Sequence, residues 1–150
     1  DIRQVVITHG HFDHAGGAAA LKAALPDARF AMTAEGWREA ALSAAQSAAR
    51  PDRWSMIEPD MVLSDGQVLQ VGDIRLQAFE TPGHTMGTAS FAFDAFDGAR
   101  RHRAFTVGGL GLNAIGGPEQ VEAYIASIKR IRALTEDPRD PVTTHLTTHA

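Results

Sequence analysis

The chain has 150 residues, 44% of them apolar, which is enough for one domain with its own core. A formal net charge of −4 supplies no basic footprint, so no nucleic-acid partner is expected. The absence of cysteine excludes disulfides and thiolate metal ligands, and no apolar run is long enough to serve as a membrane segment.

A β-branched run at residues 4–8 reads as a buried strand. After Gly16-Gly17, residues 18–25 form an alanine-rich helix stopped by Pro26-Asp27. Residues 28–32 make a second strand, and Thr33 with Glu35 and Gly36 opens a helix that runs to about residue 50, where Pro51 ends it. Residues 51–59 are irregular. From Met61 the apolar period falls to two: residues 67–71 and 74–79 pair as a hairpin around Gly72-Asp73. Residues 88–93 and 102–107 form a further strand pair around 94–101, and the basic cluster 100–103 reads as a solvated hairpin end. Gly116-Gly117-Pro118 precedes a long helix in which Val121, Tyr124, Ile125, Ile128, Ile131 and Leu134 fall at helical spacing, so all six are expected to face the core. Residues 142–148 form the last strand. No repeat, low-complexity tract or linker divides this order of β-α-β-α, β-meander, α-β, which predicts one α/β domain over residues 1–150.

The chemistry is concentrated at Thr8-His9-Gly10-His11-Phe12-Asp13-His14, with three imidazoles and one carboxylate in six positions. These ligand types suit Zn²⁺, and iron or manganese less exclusively. His9 and His11 are two apart at a strand end and project to one side. Asp13 and His14 follow in the turn and can face the same cavity. Four ligands this close point to two ions, and a pair about 3.5–4 Å apart can clamp a reacting carbonyl or phosphoryl group. Taken singly, one of these histidines could be a core residue and Asp13 could cap the next helix; the cluster has to be explained as a whole. A further ligand, His84, sits in the tight loop Thr81-Pro82-Gly83-His84-Thr85-Met86-Gly87. His145 and His149, four apart in the last strand, share a face and are both candidates. His102, in the basic hairpin, is expected to be exposed.

T-H-G-H-F-D-H followed by A-G-G, and T-P-G-H-T-M-G at 81–87, resemble the metallo-β-lactamase superfamily, and the resemblance covers nearly the whole chain. It implies an αββα sandwich with metals at one edge of two packed sheets, here expected as a fragment lacking the leading strands and incomplete at both ends. It implies that His9, His11 and His84 hold one zinc ion. Asp13 and His14 would hold a second with a C-terminal histidine: His149, because Leu146-Thr147-Thr148-His149 resembles the family's strand-ending L-T/S-N-H-P, with His145 as the alternative. Many family hydrolases carry a bridging Asp in a G-D step, where this chain reads Val107-Gly108-Gly109. That departure weighs against thioesterase, lactonase and tRNA-processing branches. The nearest resemblance is to the third subclass of metallo-β-lactamases, which has no ligand there, and the 109–113 stretch and the helix after Pro118 also resemble that branch. His11 argues against the flavodiiron oxidoreductases, which usually carry Glu at that place.

The activity so implied is that of a hydrolase in which a metal-bound hydroxide, oriented by Asp13, attacks a carbonyl of a small-molecule substrate, a β-lactam or related cyclic amide. Another ester, a lactone or a thioester is the alternative substrate, and a non-catalytic, metal-stabilised module is the alternative of another class. The subclass resemblance also implies export to the periplasm. The sequence leaves the oligomeric state open.

Overall fold

The computed structural model describes residues 2–148. The first half builds a three-stranded parallel sheet from β1 (Gln4–Val6), β2 (Arg29–Thr33) and β3 (Met61–Leu63), in that order. Its crossovers are helical: α1 (Phe12–Ala15) and α2 (Ala18–Ala24) join β1 to β2, and α3 (Ala34–Ser47) follows β2. Thr33 caps α3, its hydroxyl oxygen accepting from Gly36 N at 3.0 Å, a bond worth about 1 kcal/mol in caps of this kind. The second half is a five-stranded sheet of β4 (Val68–Val71), β5 (Ile74–Glu80), β6 (Ala89–Asp97), β7 (Arg100–Val107) and β8 (Thr144–Thr147) in sequential order. The long helix α4 (Pro118–Thr135) links β7 to β8, which therefore lies parallel to β7, while the other pairs are antiparallel.

Side-chain alternation sorts the apolar residues into three layers. On β2, Phe30 and Met32 face the helices with Ala15, Ala18, Trp37 and Ala40, while Ala31 faces the other sheet. Ala31 and Leu63 of the parallel sheet meet Leu69, Ala78, Ala89 and Phe91 of the antiparallel one. On the far side Phe79, Ala92, Phe105 and Val107 pack against Ile131 and Leu134 of α4. Helix, sheet, sheet and helix thus stack as an αββα sandwich. Phe30 and Phe105, essentially without solvent contact, each contribute about 1.5–3 kcal/mol of burial. Among the described residues no helix is long and apolar enough to cross a membrane.

Three expectations need correction. β1 ends at Val6, and the chain leaves the sheet after Ile7 N donates to Ala31 O, so His9 and His11 stand in the connection into α1 and not at the strand end. Residues 94–101 are not a loop. β6 and β7 run on to a two-residue turn with Gly98 at φ +58°. Opposite charges face each other in register, Asp94 against Arg103 and Asp97 against Arg100, which supports the strands that a charge count alone argues against. On α4, Ile131 and Leu134 reach the core, but Val121, Ile125 and Ile128 are exposed. The inward stripe runs instead through Tyr124, Ser127, Ile131 and Leu134, with Ser127 buried and its hydroxyl donating to Pro82 O at 2.6 Å.

Candidate metal centre

The histidine run crosses one end of the sandwich, where β1 meets the loop between β5 and β6. His9 has no solvent exposure, His84 is buried and His11 is half-buried. Their rings crowd together, with centroids 4.7 Å apart for His9–His11 and His9–His84 and 4.8 Å for His11–His84. One nitrogen from each falls in a group whose members all lie within 4.8 Å of one another.

The remaining nitrogens explain which atoms face inward. His84 Nδ1–H donates to Gly111 O at 2.6 Å. A carbonyl only accepts, so the tautomer is fixed and the Nε2 lone pair is left for a cation. His9 Nδ1 lies 3.1 Å from Thr8 Oγ1, and its Nε2 lies 3.1 Å from His11 Nδ1. That last separation is close to the roughly 3.3 Å edge of a tetrahedron with zinc–nitrogen bonds of about 2.0 Å. Burial, followed by the neighbouring His14, His11 and His84 rings, pushes the His9 pKa down to about 3 against a small opposing effect of Asp13. His9 is therefore neutral at physiological pH, the form a metal requires. An all-imidazole donor set gathered at one point fits zinc or a similar borderline cation.

The loop carrying His84 is fastened from α3. Glu39 accepts from Met86 N at 2.9 Å and Gly87 N at 3.3 Å, and Thr33 Oγ1 donates to Gly87 O at 2.7 Å. A cavity of about 390 Å³ opens beside the triad, with His11, Asp13 and His84 on one wall, Val107, Leu110 and Asn113 on another, and the end of β8, Thr147 and Thr148, closing it. Its volume is within the usual range for small-molecule sites.

The family model of the metallo-beta-lactamase superfamily matches residues 1–95. The chain belongs to that superfamily. Among curated relatives, it is 31% identical over 133 residues to a hydroxyacylglutathione hydrolase of Cronobacter sakazakii, covering 89% of this chain and 44% of the relative. Among solved structures, it superimposes with a TM-score of 0.76 on a subclass B3 metallo-beta-lactamase of Bradyrhizobium japonicum, at 22% identity, covering 98% of this chain and 56% of that one. A metallo-beta-lactamase of Novosphingobium pentaromativorans gives a TM-score of 0.75 at 25% identity, covering 98% and 55%. The chain thus spans about half the length of these three relatives, and 27% to 39% of other curated relatives. Members of this superfamily use metal ions, and this one presents the histidine triad for one.

The other superfamily-motif residues fall as follows. Asp13 is on the cavity wall with its side chain 55% exposed, and its Oδ2 lies 3.4 Å from His14 Nε2. His11, not Asp13, stands at the N-cap of α1, so the capping alternative for Asp13 does not describe its place. His14 packs its ring 3.9 Å from that of His9 and sets its Nδ1 3.1 Å from Thr8 Oγ1. His145 is exposed on β8, in register with Phe105. His149 lies outside the described residues. His102 is half-buried on β7 opposite Ala95, not exposed as expected, because the strand extends to Arg100. Side-chain motifs alone miss Gly111, whose contribution is a backbone carbonyl, and Glu39, which lies far from either histidine segment in sequence. Thr8 had a signal: a hydroxyl directly before a ligand run can orient two imidazoles at once.

Proposed function

We propose that residues 1–150 form one metallo-β-lactamase-like domain and that it hydrolyses a small-molecule cyclic amide, a β-lactam or a close relative of one, using two zinc ions. The triad of His9, His11 and His84 carries this reading, since one nitrogen from each falls in a single group while Thr8 Oγ1 holds His9 Nδ1 and Gly111 O holds His84 Nδ1 from behind. In the same reading Asp13, His14 and His149 hold the second ion; the 3.4 Å approach of Asp13 Oδ2 to His14 Nε2 supports the first two. A bound divalent cation supplies Lewis acidity, polarising a carbonyl and lowering the pKa of water. The chain's own residues do the rest. Gly111 O fixes the tautomer of His84, and Thr8 Oγ1 holds the tilt of His9 and His14. Asp13, at the cavity wall, orients the attacking water. Val107 and Leu110 give the substrate an apolar surface, and Asn113 offers it a hydrogen-bonding group.

Position 109 favours the cyclic amide. A Cβ there would come within 2.5 Å of His84 Cδ2, so the place where many relatives carry a bridging carboxylate has no room for one. The second reading, a thioester, is favoured by the relatives named hydroxyacylglutathione hydrolase. The test is a hydrolysis screen of β-lactams, lactones and thioesters on zinc-loaded protein, with metal counted in the same sample. Turnover of β-lactams above thioesters is expected; turnover of thioesters alone transfers the assignment to the second reading.

A further inference from the structure

His84 is the member of the triad that comes from outside residues 8–14, so its position depends on two loops, 81–88 and 108–117. Gln120, in the first turn of α4, lies between them. Its Nε2 is 2.8 Å from Gly83 O, 3.2 Å from His84 O and 3.0 Å from Ala114 O, and its Oε1 accepts from Gly116 N at 3.0 Å. One carboxamide therefore ties the backbone of the ligand to the far part of the second loop, with both its N–H groups and its oxygen engaged. The same loop also returns to the ligand's ring, where Gly111 O accepts from His84 Nδ1 at 2.6 Å. The result is a closed circuit: His84 ring, Gly111, loop, Ala114 and Gly116, Gln120, His84 backbone.

We propose that Gln120 is a positioning residue for the metal centre: its carboxamide locks His84 to the 108–117 loop so that the Gly111 carbonyl meets the imidazole at one fixed tilt. This rests on the metal-binding reading above. Opening the circuit at Gln120 leaves the loop held from α4 by Tyr124, whose hydroxyl donates to Leu110 O at 2.7 Å, but unties its far part from the His84 backbone, so the Gly111 carbonyl and the imidazole no longer share one frame. The loop also lines the cavity through Leu110 and Asn113, so the same carboxamide sets the wall that substrate meets. A purely structural role in docking α4 would be shared with Ser127, whose hydroxyl holds Pro82 O at 2.6 Å from the same helix but stands outside the circuit.

The experiment loads the full chain with Co²⁺ and reads the visible ligand-field spectrum and the affinity by competition with a chelator. The proteins are wild type, Gln120→Glu, Gln120→Met and Ser127→Ala, each with its melting temperature. Gln120→Glu keeps the shape but loses both N–H donors and turns a charge toward three carbonyls; Gln120→Met keeps the volume without polarity. Both are expected to lose about 10- to 100-fold in Co²⁺ affinity, the range for partners that orient a ligand, with an altered spectrum. Ser127→Ala is expected to melt lower with wild-type spectrum and affinity. Wild-type spectra and affinities in both Gln120 variants overturn the inference, as does an equal spectral change in Ser127→Ala. If Gln120→Glu does not fold, Gln120→Met carries the comparison. A wild type that takes up no Co²⁺ is a separate failure, read first, which removes the metal assignment itself and this inference with it.

Discussion

Strand β7 runs between two clusters of ionisable side chains that differ in kind. At its start, Arg101 pairs with Asp94 and Asp140 at 2.9 Å, and Arg103 reaches the same two carboxylates at 3.3 Å. These groups are of opposite charge, lie toward solvent and satisfy one another; Asp94 is held below the ordinary carboxylate range chiefly by its hydrogen bond from Arg101. Past the other end of the strand, Gly109 lies against the His84 ring. There the groups are alike: His9 and His84 are buried, each with its Nδ1 held from behind by a hydroxyl or a carbonyl, and His9 Nε2 lies 3.1 Å from Nδ1 of the half-buried His11. A cluster whose members complete each other is a brace. A cluster of like donors gathered at one point, two of them held from behind, is suited to a ligand.

The largest effect is expected where one of the gathered donors is removed. His11→Ala should lower zinc affinity by about 100-fold or more, since losing a ligand exceeds the 10- to 100-fold cost of losing a partner behind one. His102→Ala, half-buried at the start of β7 between Arg101 and Arg103, should bind zinc as wild type does. Elemental analysis after zinc supplementation reads both, and equal occupancy in the two variants would place the site elsewhere.

Asp13→Ala separates chemistry from folding at the same end. The carboxylate lies on the cavity wall and the N-cap of α1 is His11, so its loss should shift stability by less than about 1 kcal/mol, the scale of a lost cap. The value of kcat should fall by about 100-fold or more, as when a group that positions or deprotonates the nucleophile is removed. A wild-type rate with unchanged metal content assigns Asp13 to the surface.

The contrast between the two clusters was only partly legible in the sequence. The triad was readable because metal ligation depends on residue type: His9 and His11 are near neighbours, and His84 is framed by Pro82, Gly83 and Gly87. The layered fold was readable from period, as in β2, where Phe30 and Met32 alternate with Ala31. What supports the histidines from behind was not readable, because Gly111 acts through a carbonyl and Gln120 through contacts whose meaning depends on two loops meeting. Residues 100–103 do form a solvated hairpin end, but the brace was not readable, because its partners, Asp94 and Asp140, come together with them only in the folded sheet. The face of α4 was misread because six apolar residues at helical spacing cover more of the helix than one sheet can bury, and packing selected Ile131 and Leu134.

Gly109→Asp probes the boundary between β7 and the site. Glycine there leaves space for the His84 ring, and a Cβ would stand 2.5 Å from Cδ2 and 2.8 Å from Cγ. The ring would have to move, and with it the bond to Gly111 O. A carboxylate added at this position is therefore expected to weaken zinc binding by about 10-fold or more and to give no gain in hydrolysis. Tighter zinc binding would show that the added oxygen ligates and that the ring has somewhere to go.

The smallest effect belongs to the brace. Asp140→Asn removes one carboxylate from between Arg101 and Arg103 while Asp94 still serves both. Partly exposed ion pairs are screened and worth about 0–1 kcal/mol, so the loss in unfolding free energy should fall within that range and shrink in high salt. The sign of the pH dependence follows from Asp94. Its pKa is lower folded than unfolded, so its contribution is fully present above the ordinary carboxylate value of about 3.9 and is lost as pH falls through the lower folded value. Between pH 6 and 8, then, Asp94 should add no pH dependence to the stability of either protein in a urea titration. Zinc uptake should be unchanged, because no member of the brace faces the triad. A variant that lost zinc would mean that β7 transmits strain from one cluster to the other, and the division between brace and site would have to be withdrawn.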